Sequence, residues 1–486
     1  MRIQDIQKLY AMLPQAGAIL NIQEDKSVKT VFLQGLVASA APMFFASIAE
    51  RWKTTTVFIL NDNDEAGYFY NDLKTIAMPA DGEGKVAEVL FFPSSYRRAV
   101  KYGQRDAGNE ILRTEVLTRL SALASGADNA LPLYIVTEPS ALSELVVSKK
   151  QLDERRLTLT VDQHIDIVEV EKTLRSFGFT ETDYVYEPGQ FAVRGSIIDV
   201  YSFSNELPFR IDFFGDDIET IRSFEVETQL STERLTRVEI VPELTTMSEE
   251  KVPFLQFLPE DAVLAFKDFL YVRDAIDNIY QEGFTNQALT EKLEGKTELE
   301  QRELEVAFRK EGQLVPASRW MNDALDFRRI EFGMNHSTSD QAKKKDGSRA
   351  TINFSTSPQP LFHKNFDLLS KTLRDYLLQG YKLYIFADSE KQTVRLRDIF
   401  DSLSDTNVSA KSENLSVAEL SGEGLDATVG ALPFTPVNRT LHEGFVDSTL
   451  KVCFFTDHQI FDRFHKYNLK SDKARQGKMA LTMKEL

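Results

Sequence analysis

The sequence predicts an α/β multidomain protein: a doubly wound, mainly parallel sheet domain, an antiparallel α+β module inserted into it, and a second small α/β domain. Three observations predict this. The 486 residues exceed the roughly 250 to 300 at which one core stops growing. Short apolar runs alternate with amphipathic stretches through the first 140 residues, whereas Phe191 to Arg222 reads as strand after strand. With 42% apolar and 27% charged residues, the balance is that of a folded soluble protein.

In order, Val31-Phe32-Leu33, Met43 to Arg51, Thr56-Val57-Phe58-Ile59-Leu60 and Glu65 to Ile76 give strand, helix, strand, helix. Further strands are expected at Val89 to Phe92 and Leu133 to Val136, which completes a mainly parallel sheet. A helix from Ile165 to Phe177 opens the antiparallel module. There Phe191 to Tyr201, Phe209 to Phe214 and Ile218 to Arg222 are strands, with Gly215-Asp216-Asp217 turning the last pair. Glu291 to Lys310 is rich in Glu, Lys, Gln, Arg and Leu and reads as a solvated helix. His336 to Ser348 has no large apolar side chain to drive its ordering and reads as linker. Beyond it, Phe366, Leu369, Leu373 and Leu377 share a helical face, Gly380 caps it, and Lys382 to Phe386 is a strand. A Ser389–Gln392 capping box opens another helix, and Lys451 to Phe455 is the closing strand.

The formal charge of −17 disfavours phosphate backbones over the surface as a whole, so any nucleic-acid contact must be local. The lone Cys453 excludes an intramolecular disulfide and fits a reducing cytosol. No basic leader and no membrane-length apolar run are visible, so a soluble cytoplasmic protein is expected.

The first strand runs into Gly35-Leu36-Val37-Ala38-Ser39-Ala40-Ala41-Pro42, where a phosphate-binding loop would begin its helix. A working loop needs Gly, four residues, Gly, Lys and Ser or Thr, so that Lys reaches the terminal phosphates and the hydroxyl holds magnesium. Here the last three places are Ala40, Ala41 and Pro42, which supply neither ammonium nor hydroxyl, and Pro42 has no N–H. The bland reading is a strand-to-helix turn with Pro42 at the first helical position. On either reading this loop is not expected to hydrolyse ATP.

The run Glu187-Pro188-Gly189-Gln190-Phe191-Ala192-Val193-Arg194-Gly195-Ser196-Ile197-Ile198-Asp199-Val200, with Arg210-Ile211-Asp212-Phe213-Phe214-Gly215-Asp216-Asp217-Ile218-Glu219, closely resembles the UvrB family. Continued into Ile221 to Gln229, it is more similar to the UvrB-homology region of transcription-repair coupling factors. The disabled loop agrees, because UvrB keeps its Lys. Asn365 to Leu369, Ile385 to Ser389, Leu441 to Phe445 and Thr456 to His465 resemble the small domain that follows that region.

The resemblance implies a degenerate RecA/helicase-like P-loop domain in two parts, residues 1–140 and 231–335, around an inserted UvrA-interaction domain at 141–230. A linker at 336–358, a small domain at 359–465 and a tail at 466–486 are expected to follow. It further implies a module that recruits UvrA to a stalled RNA polymerase in nucleotide excision repair and restrains a motor. That motor, with its ATP and magnesium, and the polymerase-binding and DNA-binding domains, are expected in a longer protein; no cofactor is expected here. Arg194 is the position carried over to the UvrA-facing surface, with Phe191 and Tyr201 as flanking aromatic anchors. Without the resemblance, Arg194 reads as a solvated strand-edge charge and the two rings as sheet core. One departure stands: after Gly178-Phe179, coupling factors often carry Arg where this chain has Thr180-Glu181-Thr182.

The competing reading is an active UvrB-like or helicase-type, DNA-dependent ATPase. The loop's missing Lys, the lack of a strand ending in paired acids, and the lack of UvrB's long aromatic hairpin after Phe92-Pro93 count against it. A basic cluster of Arg97, Arg98, Lys101 and Arg105, interleaved with Tyr96 and Tyr102, is the candidate DNA contact; such a run is more often a solvated face. His458 and His465, with Asp457 and Asp462, do not make a metal set, because no third ligand is suitably spaced.

Overall fold

The computed structural model describes residues 2–25, 27–78, 85–96, 102, 105–124, 131–244, 250–284, 293, 296–298, 300–302, 312–334, 348–412, 433–464 and 466. Most of the helix expected at 291–310, the segment 336–347 and nearly all of the tail lie outside them.

The chain opens with α1 (Ile3–Ala11) and α2 (Pro14–Glu24), then alternates β1 (Val28–Gln34), α3 (Ala40–Trp52), β2 (Thr56–Ile59), α4 (Asn63–Ala77), β3 (Glu88–Phe92), α5 (Ala107–Ala124) and β4 (Leu133–Thr137). The short α6 (Pro139–Leu142), β5 (Leu145–Val147) and α7 (Lys149–Glu154) follow. The antiparallel region comprises β6 (Leu157–Thr160), α8 (Ile167–Ser176), β7 (Thr180–Glu181), β8 (Gln190–Arg194), β9 (Ile197–Val200), β10 (Phe209–Phe214), β11 (Asp217–Phe224), β12 (Ser231–Leu235) and β13 (Arg237–Ile240). Next come β14 (Lys251–Pro253), β15 (Val263–Phe266), α9 (Phe269–Glu282), α10 (Ala317–Ala324), β16 (Arg328–Gly333), β17 (Ser348–Asn353) and β18 (Thr356–Pro358). The last elements are α11 (Phe366–Leu378), β19 (Lys382–Phe386), α12 (Glu390–Ser412), β20 (Thr435–Val437), β21 (Phe445–Asp447), β22 (Val452–Thr456) and α13 (Asp457–Ile460).

The chain divides into two compact units that interleave in sequence, one of Met1–Lys53, Tyr68–Glu88 and Ile330–Tyr467, the other containing Thr54–Gly67 and Val89–Arg329. In the first unit β17, β1 and β16 are neighbours in a sheet, and β1 pairs with β17 in parallel, Leu33 opposite Ile352. The second half of the span expected as linker is therefore strand: Ile352 is buried, and β17 gains a complete row of backbone partners from β1. The same unit holds a sheet in the order β18-β21-β22-β19-β20, with Leu369, Leu373, Leu396, Phe400 and Phe455 in its core. Asn365 caps α11 by accepting from Leu368 N–H at 2.9 Å, and Gly380 follows its end at φ +82, the conformation Gly adopts without a Cβ clash.

In the second unit the order β15-β2-β4-β3 makes a sheet of buried strands in which β15–β2 and β2–β4 pair in parallel. Its core includes Val57, Phe92, Ile135, Leu264 and Trp320, the last packed edge-on to Phe266. The antiparallel sheet has the order β12-β11-β10-β9-β8-β7. Strict alternation divides its side chains. Phe191, Ile198, Val200, Phe209, Ile211 and Ile221 face a core that they share with Val170 and Leu174 of α8. Gly195 and Gly215, at φ +63 and +64, turn β8 into β9 and β10 into β11.

Candidate functional site: a filled phosphate loop and an arginine-bearing sheet face

The loop after β1 lies in the first unit, and its backbone is already in use. Gly35 N–H donates to Gly333 O at 2.8 Å, Val37 N–H to Thr356 Oγ1 at 3.2 Å, Ala40 N–H to Val37 O at 3.2 Å and Ala41 N–H to Ala38 O at 3.3 Å. Thr356 Oγ1 in turn donates to Gly35 O at 2.5 Å. Gly35 is required, because at φ +80 a Cβ would come within 2.3 Å of Phe354 O. Ala40, Ala41 and Pro42 are all buried. Pro42 is the third residue of α3, not the first; it is tolerated there because first-turn N–H groups have no intrahelical acceptor.

Beside the loop sits a carboxylate that no residue pattern singles out. Asp72, on α4, is buried; Ser39 Oγ donates to its Oδ2 at 2.5 Å and His442 N–H to its Oδ1 at 2.8 Å. Glu443 N–H donates to Ser39 Oγ at 2.9 Å, and the His442 ring stacks on Tyr68 at 3.6 Å. Burial pushes the Asp72 carboxyl up to about 7, against the lowering effect of its two donors. The strand-to-strand loop containing Leu441, His442 and Glu443 therefore bonds both Ser39, just before α3, and Asp72 of α4.

The second site is the outer face of the antiparallel sheet. In register across the strands stand Ala192, Asp199, Arg210, Arg222 and Arg234, with Arg194, Asp212 and Thr220 alongside. Asp199 is fully buried; Arg210 reaches it in bidentate fashion, Nε at 2.7 Å and Nη2 at 2.8 Å, and Arg194 donates to the same carboxylate. Arg222 pairs with Asp212, which also accepts from Thr220 Oγ1 at 2.6 Å. One buried acid thus positions two guanidiniums: Arg194 is 36% exposed and also lies 5.0 Å over the Tyr184 ring, while Arg210 is more enclosed, its Nη1 donating to Gln229 O at 3.2 Å and its guanidinium 4.6 Å from the Phe224 ring centroid.

Phe191 and Tyr201, expected as aromatic anchors, are 0% and 1% exposed. Phe191 faces the core shared with α8, whereas Tyr201 lies on the Asp199 side of the sheet, packed with Val185, Ala192 and Phe224, where its OH donates to Glu206 O at 2.6 Å. They offer no ring to a partner. The exposed aromatics of this region are Tyr184, Tyr186 and Phe214, the last at the β10–β11 tip. At the departure after Phe179, Glu181 is paired to Arg175 at 2.7 Å, so the edge there presents an acid where coupling factors often carry Arg.

Residues 157–245 match the model of the UvrB interaction domain. The transcription-repair-coupling factor of Bacillus subtilis (strain 168) is 24% identical over 244 residues, covering 50% of this chain and 20% of that protein. That of Borreliella burgdorferi is 25% identical over 291 residues, 56% and 26%. That of Staphylococcus aureus (strain bovine RF122 / ET3-1) is 23% identical over 410 residues, 75% and 33%. The chain is a relative of the transcription-repair-coupling factors. It spans a fifth to a third of the length of these coupling factors.

The UvrB interaction domain and the row of arginines coincide in this relative of the coupling factors, since Arg194, Asp199, Arg210, Arg222 and Arg234 all lie within the matched residues. Arg97, Arg98 and Lys101, the candidate DNA contact, lie outside the described residues. Of their neighbours, Tyr102 is exposed, while Tyr96 is buried under Arg105, whose guanidinium sits 5.7 Å from the ring centroid. Nearby Arg113 and Glu144 form a buried pair at 3.3 Å, and Glu144 also accepts from Ser94 Oγ and Ser95 N–H, which fixes the chain leaving β3. Near the other unit's end, His458 Nε2 lies 2.8 Å from His442 O, so this imidazole belongs to the loop's scaffold. Among the described residues no cluster of acids, His or Cys could hold a metal, and no helix is long and apolar enough to cross a membrane.

Proposed function

We propose that this chain is the docking part of a transcription-repair-coupling factor: it binds UvrA through the outer face of the antiparallel sheet and brings it to a stalled RNA polymerase. The observation that carries the reading is the row of Arg194, Arg210, Arg222 and Arg234 inside the matched UvrB interaction domain, with Arg194 and Arg210 braced by Asp199 and Arg222 by Asp212. Guanidiniums held by a buried carboxylate are pre-organised, so little side-chain entropy is lost when a partner's acids bind them. The rest of the longer protein would supply the motor, the ATP and magnesium sites and the contacts to polymerase and DNA, and this part would restrain that motor.

The same proposal assigns no ATP hydrolysis to the loop after β1. It is supported by the small residues at 40–42, by loop amides already bonded within the chain, and by the occupation of Ser39 and Asp72 by residues 442 and 443. A loop in this condition lacks the charge that phosphate binding uses, and several of its donors are already engaged.

Surface plasmon resonance with UvrA from the same organism tests the docking face. Arg222→Glu with Arg234→Glu is expected to weaken binding more than tenfold without unfolding the chain; full retention of affinity rejects this face. Titration calorimetry with Mg-ATP is expected to give no heat of binding, and a saturable heat rejects the reading of the loop.

A further inference from the structure

The small domain at the end of the described chain carries an open cavity of about 350 Å3 lined by Lys364, Phe366, Arg395, Ile399, Phe461 and Arg463. Its floor is apolar: Phe366 and Phe461 pack at 5.6 Å between centroids, and Ile399 lies one turn beyond Arg395 on α12. Its walls are cationic. Arg395 and Arg463 sit 5.1 and 4.9 Å from the Phe461 ring, and Arg463 is tethered from below by the buried Asp457 at 2.5 Å. His363 and Lys364 both adopt positive φ, +48 and +60, an uncommon conformation for non-Gly residues.

We infer that this cavity is a binding site for a short acidic peptide segment of a protein partner, an apolar side chain seated on Phe461, Phe366 and Ile399 and flanking carboxylates on Lys364, Arg395 and Arg463. Three cations and no acid line the cavity of a chain whose net charge is −17, so the charge here is local and matches a carboxylate. Arg presents the planar fork that fits a carboxylate, and an apolar floor stabilises a hydrocarbon side chain but gives nothing to a hydrated phosphate. The inference is independent of the UvrA reading, since it concerns another face and another unit.

Fluorescence anisotropy on the full chain tests it, with a fluorescein-labelled pool of pentapeptides that place Leu, Phe or Met between pairs of Asp or Glu, and a control pool with Ser at the centre. The apolar-centred pool is expected to bind saturably and at least tenfold tighter than the Ser pool. Arg395→Glu and Lys364→Glu, both at exposed positions, are expected to weaken it at least tenfold with an unchanged thermal midpoint, and Arg194→Glu to leave it unaltered. The inference is overturned if the two pools bind alike, or if neither cavity variant changes binding. Displacement of the peptide by sodium phosphate or by a duplex oligonucleotide at concentrations equal to its own also overturns it, in favour of a plain anion site or a nucleic-acid site.

Discussion

Two regions of this molecule place small polar and charged groups beside ordered backbone, and they treat them in opposite ways. At the loop after β1 the donors are turned inward: amides bond to carbonyls and to Thr356, and Ser39 and Asp72 bond to residues 442 and 443. On the antiparallel sheet the acid lies on the same face beneath the guanidiniums, so Asp199 is buried while Arg194, Arg222 and Arg234 keep accessible edges. A site whose hydrogen-bonding capacity is consumed within the chain has none left for a ligand, whereas one braced from below gains order and keeps its outer charge.

The comparison is most easily broken at Asp199. Asp199→Ala removes the acceptor of two guanidiniums and is expected to cost about 3 kcal/mol in urea denaturation of the second unit, and to weaken UvrA binding as well. A loss below about 1 kcal/mol would mean that the arginines are not held by it. Gly35→Ala comes next, at about 2 kcal/mol or more, because the new Cβ meets Phe354 O and the backbone is left-handed there. Asp72→Ala strands the donors Ser39 and His442 N–H and is expected to cost about 2 kcal/mol, with Asp72→Asn costing less because its amide oxygen still accepts.

An effect of comparable total size, spread over several pH units, follows from pH. The Asp72 carboxyl is raised to about 7 in the folded state, so the folded chain holds its proton more tightly than the unfolded chain. This contribution is full below the ordinary carboxylate range near 4 and is lost as pH rises towards 7, so stability of the first unit should fall over that window by up to about 1.4 kcal/mol per pH unit. Chemical denaturation at pH 5 and 7 should show that slope reduced in Asp72→Asn; an identical slope in both proteins would remove Asp72 as its source. The smallest expected change sharpens the contrast most. Restoring the motif with Ala40→Gly, Ala41→Lys and Pro42→Ser should leave ATP binding undetectable by calorimetry, because the loop's amides and Ser39 stay occupied.

Much of the local order was legible in the sequence. Apolar runs with period-2 or helical spacing placed β1 to β4, α3, α4, α8, α11 and β19 within a few residues, since those patterns reflect the faces that must leave water. The same signal failed at Ser348–Asn353, a polar-looking stretch that is strand because β1 supplies its backbone partners. It also misplaced Pro42 in its helix, since the preceding turn that starts α3 at Ala40 depends on Val37 and Ala38 carbonyls that no residue pattern announces.

At the candidate sites the division is sharper. By itself the sequence determined that residues 40–42 supply no ammonium or hydroxyl, because side-chain chemistry is a property of residue type, while Arg194 was singled out only through the family resemblance. The alternation through β8 to β11 carried the signal that would have placed Phe191 in the core and Arg210 and Arg222 outside. Only the tertiary structure decided that Asp199 braces two arginines, that Tyr201 is closed to a partner, and that His442 and Glu443, some 400 residues from Ser39 in the chain, consume its hydroxyl and the Asp72 carboxylate. Cross-strand register and long-range loop contacts are fixed by packing of distant segments, and local spacing does not encode them.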